Sequence, residues 1–305
     1  MRLLVTGAAG FIGSYVAGLA VERSYEVHGV GLAEAPAIAV AGLRHHRMCK
    51  GQEGFESLIE EIRPVACIHA AGRASVYESV ANPALDFASG PVLTFALLDE
   101  LRRHAPECRV LFLSSAAVYG NPEKLPVGES APAAPISPYG FHKHQSELLC
   151  REFTEVYGMK TAIARIFSAY GEGLRRQVLW DICRKSLIEG RLLLHGTGAE
   201  TRDFLHVRDI AVGLMQIVEG APMGGETYNL ASGHAVSIGD LATTAISALG
   251  VDIEPEFDGC VPVGDPRYWC ADISKISALG FVPAVPLTAG VGSYAQWARQ
   301  QLVTR

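Results

Sequence analysis

At 305 residues, 49% of them hydrophobic and 19% charged, the chain carries enough apolar material for one large domain or two intimately joined ones. Its formal net charge of −6, with no run of Lys or Arg longer than a pair, excludes the electrostatic footprint of a nucleic-acid or anionic-membrane binder. Seven cysteines, odd in number and without CxxC or Cys/His ligand spacing, exclude a disulfide framework and read as reduced thiols.

The opening MRLLV is apolar but gives way to glycines within a few positions, a pattern of neither a signal peptide nor a membrane span, so the expected address is cytoplasmic. Short β-branched or apolar runs predict strands at Arg2 to Thr6, Glu26 to Val30, Val65 to Ala70, Arg109 to Ser114 and Lys160 to Ile166. Helical patterns lie between them, at Phe11 to Glu22, Glu53 to Ile62, Pro83 to His104 and Pro138 to Tyr157. This alternation is that of an α/β doubly wound parallel sheet, which binds ligands beyond the carboxyl ends of its strands. The later part is mixed, with helices expected at Val178 to Glu189, Asp209 to Val218 and Ser237 to Leu249 among loops rich in Gly and Pro.

Gly7, Gly10 and Gly13 fall in TGAAGFIG, between the first strand and the first helix. Glycines there allow a tight turn and a close approach to a pyrophosphate, whose charge is met at the positive end of the helix. A dinucleotide site also wants an acid about 20 residues on for the adenine ribose. Here EVHGV runs into Gly31 and Leu32, with Glu34 a late substitute and no Lys or Arg following at once. The cofactor expectation is therefore NAD, with NADP left open.

Ser137 and Pro138 open a helix as N-cap and first residue, and put Tyr139 and Lys143 one turn apart on a shared face. An ammonium near the phenol, together with the helix's positive end, is expected to favour the phenolate and suit Tyr139 to acid–base work. Ser115, at the end of LFLSS, offers a hydroxyl beside it.

TGAAGFIG, HAAG, LSSAAVYG, SPYGFHK and RDFLHVRD together resemble the extended short-chain dehydrogenase/reductase family, in its NAD-dependent sugar-nucleotide epimerase/dehydratase branch, over nearly the whole chain. The resemblance implies a Rossmann fold with a smaller, interleaved C-terminal substrate-binding domain. Residues 1–168, with 203–232, would bind NAD(P), and 169–202 and 233–305 the substrate, a nucleoside diphosphate sugar. Ser115, Tyr139 and Lys143 would be catalytic. The cofactor would meet Gly7, Gly10, Phe11, Ile12, Gly13, Ala70, Ala71, Gly72, Ser114, Tyr139 and Lys143, and the substrate Ser168, Arg175, Arg202 and Arg267. Arginine suits the diphosphate because its planar fork matches phosphate oxygens.

Departures from the family pattern narrow the chemistry. Ala116 and Ala117 stand where dehydratases carry an Asp-Glu pair and decarboxylating members a Glu. What survives is carbinol–ketone redox: a 4-epimerase first, a 4-ketoreductase second, a non-catalytic nucleotide-binding protein third. Gly90, Ser168 and Pro262 replace residues usual in the family, and no carboxylate stands near Met48 and Cys49. His195 and His206 are expected to be structural, with no metal, and His142 and His144 to face solvent. The apolar excess at Val92, Leu93, Leu97, Leu98, Leu101, Leu148, Leu149, Phe153 and Val156 predicts a homodimer, which in the family forms through a four-helix bundle.

Overall fold

The computed structural model describes residues 1–32, 40–48, 55–260, 264 and 266–303; Glu34, Cys49 and Pro262, on which three expectations fall, lie outside them. Its strands are β1 (Arg2–Thr6), β2 (Glu26–Gly31), β3 (Arg44–Arg47), β4 (Ala66–His69), β5 (Arg109–Ser115), β6 (Lys160–Ile166), β7 (Ser168–Tyr170), β8 (Leu192–Leu194), β9 (Thr201–His206), β10 (Gly224–Leu230), β11 (Ala235–Ser237) and β12 (Pro255–Phe257). Seven of them form one parallel sheet in the order β10-β6-β5-β4-β1-β2-β3. All five predicted strands belong to it. The two others, β3 and β10, escape the sequence pattern because β3 is the polar RHHR and β10 opens on two glycines.

The helices are α1 (Phe11–Glu22), α2 (Phe55–Ile62), α3 (Val76–Ala81), α4 (Pro83–Phe87), α5 (Leu93–His104), α6 (Pro138–Tyr157), α7 (Gln177–Arg184), α8 (Val207–Gly220), α9 (Ile238–Leu249), α10 (Ser274–Ser277) and α11 (Leu287–Val303). Both sheet faces are covered, so strand side chains of either parity are buried. Leu111 and Leu113 of β5 pack with α1 and α8, through Val16, Ala20, Ile210 and Leu214. Val110 and Phe112 pack with α2, α5 and α6, through Ile59, Leu98 and Phe153. A third apolar cluster joins α7, α9 and α11 through Ile182, Leu241, Ala245, Tyr294 and Ala298.

The single helix expected from Pro83 to His104 is interrupted. Residues 88–92 take a wider turn around Pro91, which has no N–H to donate and whose ring crowds the preceding turn. Leu97, Leu98, Leu101 and Phe153, expected to serve association, are instead buried in the chain's own core. The large apolar side chains that α4, α5 and α6 leave exposed are Leu85, Phe87, Phe95, Phe141, Leu148, Val156 and Tyr157. Among the described residues no helix is long and apolar enough to cross a membrane.

One buried ion pair ties α6 to the sheet. Arg165 of β6 donates to both carboxylate oxygens of Glu147 at 2.8 and 2.7 Å, and the Ser114 hydroxyl donates to the same carboxylate at 2.6 Å. Glu147 is wholly buried, yet these donors hold its carboxyl down at about 2 against the opposing effect of burial. Replacing Glu147 by Ala strands the Arg165 charge and is expected to cost about 3–5 kcal/mol in urea unfolding. Changing Glu147 and Arg165 together to Met should recover most of that loss.

Candidate active site

The glycine turn follows β1. Gly7 has φ +70°, and a Cβ on it would stand 2.8 Å from the carbonyl of Ala70 and the nitrogen of Ala71. A Cβ on Gly13 would lie 2.2 Å from the Gly7 carbonyl oxygen, so neither position admits a side chain. The turn is closed by Gly7 N–H donating to Val30 at 2.7 Å and Gly10 N–H to Gly7 at 2.8 Å. Gly10 is the N-cap of α1 and supplies no side-chain cap, so the amides of Phe11, Ile12 and Gly13 face the carboxyl edge without a helical acceptor. Such a cradle fits an anionic pyrophosphate.

Ala70, Ala71 and Gly72 form the facing wall. The amides of Ala70 and Ala71 donate to the carbonyl and hydroxyl of Thr6 at 3.1 and 3.2 Å. Behind them His69 is clamped between the Thr6 hydroxyl at 2.6 Å and the Thr94 hydroxyl at 3.2 Å. Burial first, and the Lys143 charge second, push its pKa down to about 3, so the ring is neutral.

β5 ends between two different tasks, because successive strand residues face opposite sides. Ser114 turns its hydroxyl to Glu147, whereas Ser115 accepts the Ala117 amide at 3.2 Å and lies near enough to the Tyr139 phenol to favour its ionised form. Ser137 caps α6 by accepting the Gly140 amide at 3.2 Å. Gly140 lets this first turn press against the turn that follows β5, since a Cβ there would be 2.6 Å from the Ala117 oxygen. The Tyr139 amide donates to Ser79 of α3 at 3.1 Å. Lys143, one turn on, donates to the Leu113 carbonyl at 2.7 Å and stands 5.9 Å from the centre of the Tyr139 ring.

The electrostatics correct one expectation. Burial raises the Tyr139 pKa above its ordinary value; the Ser115 hydrogen bond opposes this, the Asp86 charge adds to it, and the Arg176 charge opposes it. Lys143 is itself lowered to about 8 by burial, against the pull of Asp86 and Glu147. In this arrangement the phenol keeps its proton, and the lysine's amine points at a backbone carbonyl. His142 and His144, expected to face solvent, turn inward: His142 pairs with the buried carboxylate of Asp86 at 2.6 Å and His144 lies 3.5 Å from Glu147.

The predicted arginines divide. The Arg202 guanidinium donates to the Arg267 carbonyl at 3.3 Å and lies over Trp269, so these two residues are neighbours. Beneath them the buried Asp203 carboxylate accepts from Ser232, Gly233 and Ala271. Arg175 instead bonds Gln301 and lies over Trp297 of α11. The arginine whose charge reaches the Tyr139 phenol is its neighbour Arg176, the N-cap residue of α7, which the sequence reading did not single out. Ser168 sits half-buried at the start of β7. His206 caps α8 and lies 3.4 Å from Glu172, while His195 pairs with Asp258 at 2.7 Å. Away from the groove Glu56, Glu100 and His104 bring three ligand atoms within 4.8 Å, but Arg103 stands 3.7 Å from Glu100 and supplies a competing cation.

A parallel sheet with a glycine turn after its first strand, and a serine, tyrosine and lysine gathered at its middle strands, defines the extended short-chain dehydrogenase/reductase class. The chain belongs to the NAD dependent epimerase/dehydratase family, whose profile matches residues 3–231. A UDP-glucose 4-epimerase of Azospirillum brasilense is 30% identical, over 98% of this chain and 92% of that protein. Among solved structures, the UDP-glucose 4-epimerase of Thermotoga maritima with UDP-glucose superposes with a TM-score of 0.91 at 27% identity, covering 99% of this chain and 100% of that one. The UDP-glucuronic acid 4-epimerase of Bacillus cereus, in complex with UDP-glucuronic acid and NAD, gives 0.90 at 26% identity with the same coverage.

The His69 clamp has a pH signature. Its folded pKa of about 3 lies below the ordinary 6.5, so as pH falls the unfolded chain takes up the proton first and stability is lost. Urea unfolding between pH 6.5 and 5, above the range where Glu147 titrates, should show a contribution approaching about 1.4 kcal/mol per pH unit. A His69→Asn variant should lack that contribution.

Proposed function

We propose that the chain is a nucleotide-sugar 4-epimerase that uses NAD, with Ser115, Tyr139 and Lys143 acting on the C4 carbinol of a nucleoside diphosphate hexose. The observation that carries this reading is the meeting of the Ser115 hydroxyl and the Tyr139 phenol beside the glycine cradle, with only the buried methyls of Ala116 and Ala117 next to them. Loss of water or of carbon dioxide needs a further acid or base at the sugar, and those two positions supply none. The named substrates and cofactor of the related structures support the same choice.

Residues 1–168 with 203–232 hold the cofactor in this reading, and 169–202 with 233–305 hold the sugar nucleotide. The amides of Phe11, Ile12 and Gly13 meet the pyrophosphate, and the wall from Ala70 to Gly72 bounds the groove. Lys143 lies close enough to the Tyr139 ring to reach a ribose hydroxyl beside it. Arg202 and Arg267 take the substrate diphosphate, with Ser168 nearby, and Arg176 rather than Arg175 faces the reacting end.

When bound, an oxidised nicotinamide supplies the hydride acceptor and a positive ring, which favours the phenolate in the same sense as Arg176. Tyr139 would take the C4 hydroxyl proton, directly or through Ser115, and would return it to the same oxygen, so that the residues themselves carry no net charge through the cycle. The bound group would supply the hydride acceptor and donor, and inversion at C4 would need no net redox change.

Incubation of the purified protein with UDP-glucose, UDP-galactose or UDP-glucuronic acid, followed by proton NMR of the anomeric region, should show the 4-epimer with only catalytic NAD present. A Tyr139→Phe variant should retain its fold and lose about 100-fold or more in rate. Stoichiometric consumption of reduced cofactor would assign the site to a 4-ketoreductase instead.

The same reading includes a homodimer. Phe87, Pro91, Val92, Phe95, Leu148 and Leu149 line an open apolar depression between the α4–α5 run and α6, of about 400 Å³. Light scattering should give the mass of two chains, and a Phe95→Glu, Leu148→Arg variant the mass of one.

A further inference from the structure

The second strand of the sheet ends without an acid. β2 ends at Gly31, where a dinucleotide fold ordinarily places an acid for the ribose hydroxyls. Folding does not dictate the glycine. Its φ is ordinary, and a Cβ there would meet His45 Cε1 at 3.5 Å and Ala9 Cβ at 3.7 Å, both normal contacts. Gly31 therefore contrasts with Gly7 and Gly13, whose missing side chains the backbone requires.

The neighbouring strand supplies the opposite charge. Gly31 pairs with Arg47 in the β2–β3 register, and the Gly31 carbonyl accepts the Met48 amide at 2.9 Å. Strand alternation puts His45 and Arg47 on the α1 side, the side on which Ala9 of the glycine turn approaches Gly31. Arg44 and His46 take the other side, where Arg44 is paired with Glu26 and His46 stacks on His28. Of the two arginines of β3, only Arg47 stands at the carboxyl edge, and it is exposed there.

The geometry points to a cofactor site that accepts a 2′-phosphate: the chain binds NADP(H) as well as NAD(H), and Arg47 is the residue that meets the added phosphate. A phosphate monoester carries nearly two negative charges at neutral pH, which a carboxylate at position 31 would repel and a guanidinium fork beside it attracts. This rests on the reading of the groove as a dinucleotide site and adds to it the discrimination at the adenine ribose.

Fluorescence titration of NADH and NADPH into the purified full chain tests it without reference to turnover. NADPH is expected to bind within about tenfold of NADH or more tightly, and Arg47→Ala to weaken NADPH selectively by about tenfold, the size of one charged hydrogen bond. Gly31→Asp, which the local spacing accommodates, should shift the preference toward NADH by a similar factor. A wild-type preference for NADH beyond tenfold, or an Arg47→Ala effect equal on both cofactors, overturns the assignment and leaves the epimerase reading standing. Failure of both cofactors to bind overturns that reading itself.

Discussion

The seating of α6 on the carboxyl ends of β5 and β6 is the constraint on which the site depends. Two contacts of different physics fix it. At the first turn Gly140 comes so near the Ala117 oxygen that any side chain would force the helix outward. Two turns later, Glu147 is held by Arg165 and Ser114 from the sheet below. The first contact sets how close the helix comes, and the second, being directional and buried, sets its rotation. Lys143 lies between these contacts and Tyr139 directly before the first, so the phenol is brought toward Ser115 without depending on the mutual attraction of the two side chains.

That arrangement makes the interior of the groove hostile to charge. Burial raises the Tyr139 phenol, lowers the Lys143 amine to about 8 and holds His69 neutral near 3. All three shifts have the same sense, each group being pushed toward its uncharged form. A proton leaves such a phenol only when positive charge arrives from elsewhere, and Arg176 gives a first increment of it. The neutral state of His69 matters for the same reason: a second cation behind Ala70 would depress Lys143 further.

Much of this was legible in the sequence where one residue type has one structural use. Gly7 and Gly13 announce a close approach because no other residue fits, and Ser137-Pro138 announces a helix start. The central strands show because burial on both faces leaves them continuously apolar. The rest was hidden where the answer depends on a neighbour distant in the chain. RHHR has no strand pattern of its own and becomes β3 through its register with β2 and the stacking of His46 on His28. α11 carries two glycines, and its packing against Ile182 and Leu241 comes from chain far upstream. Arg175 and Arg176 are indistinguishable as letters. A positive φ of 67° at Gln177, at the first turn of α7, accompanies the geometry that sends one to α11 and leaves the other's charge near the phenol.

The groove thus has a fixed centre and a variable edge. Gly7, Gly13 and Gly140 sit where backbone meets backbone, and a substitution at any of them must move a strand or a helix. Gly31 has room for a side chain, and Arg47 is exposed on an edge strand, so changes there alter what charge a ligand meets without disturbing the packing beneath. Substitutions at the edge and substitutions at the centre are therefore energetically separate.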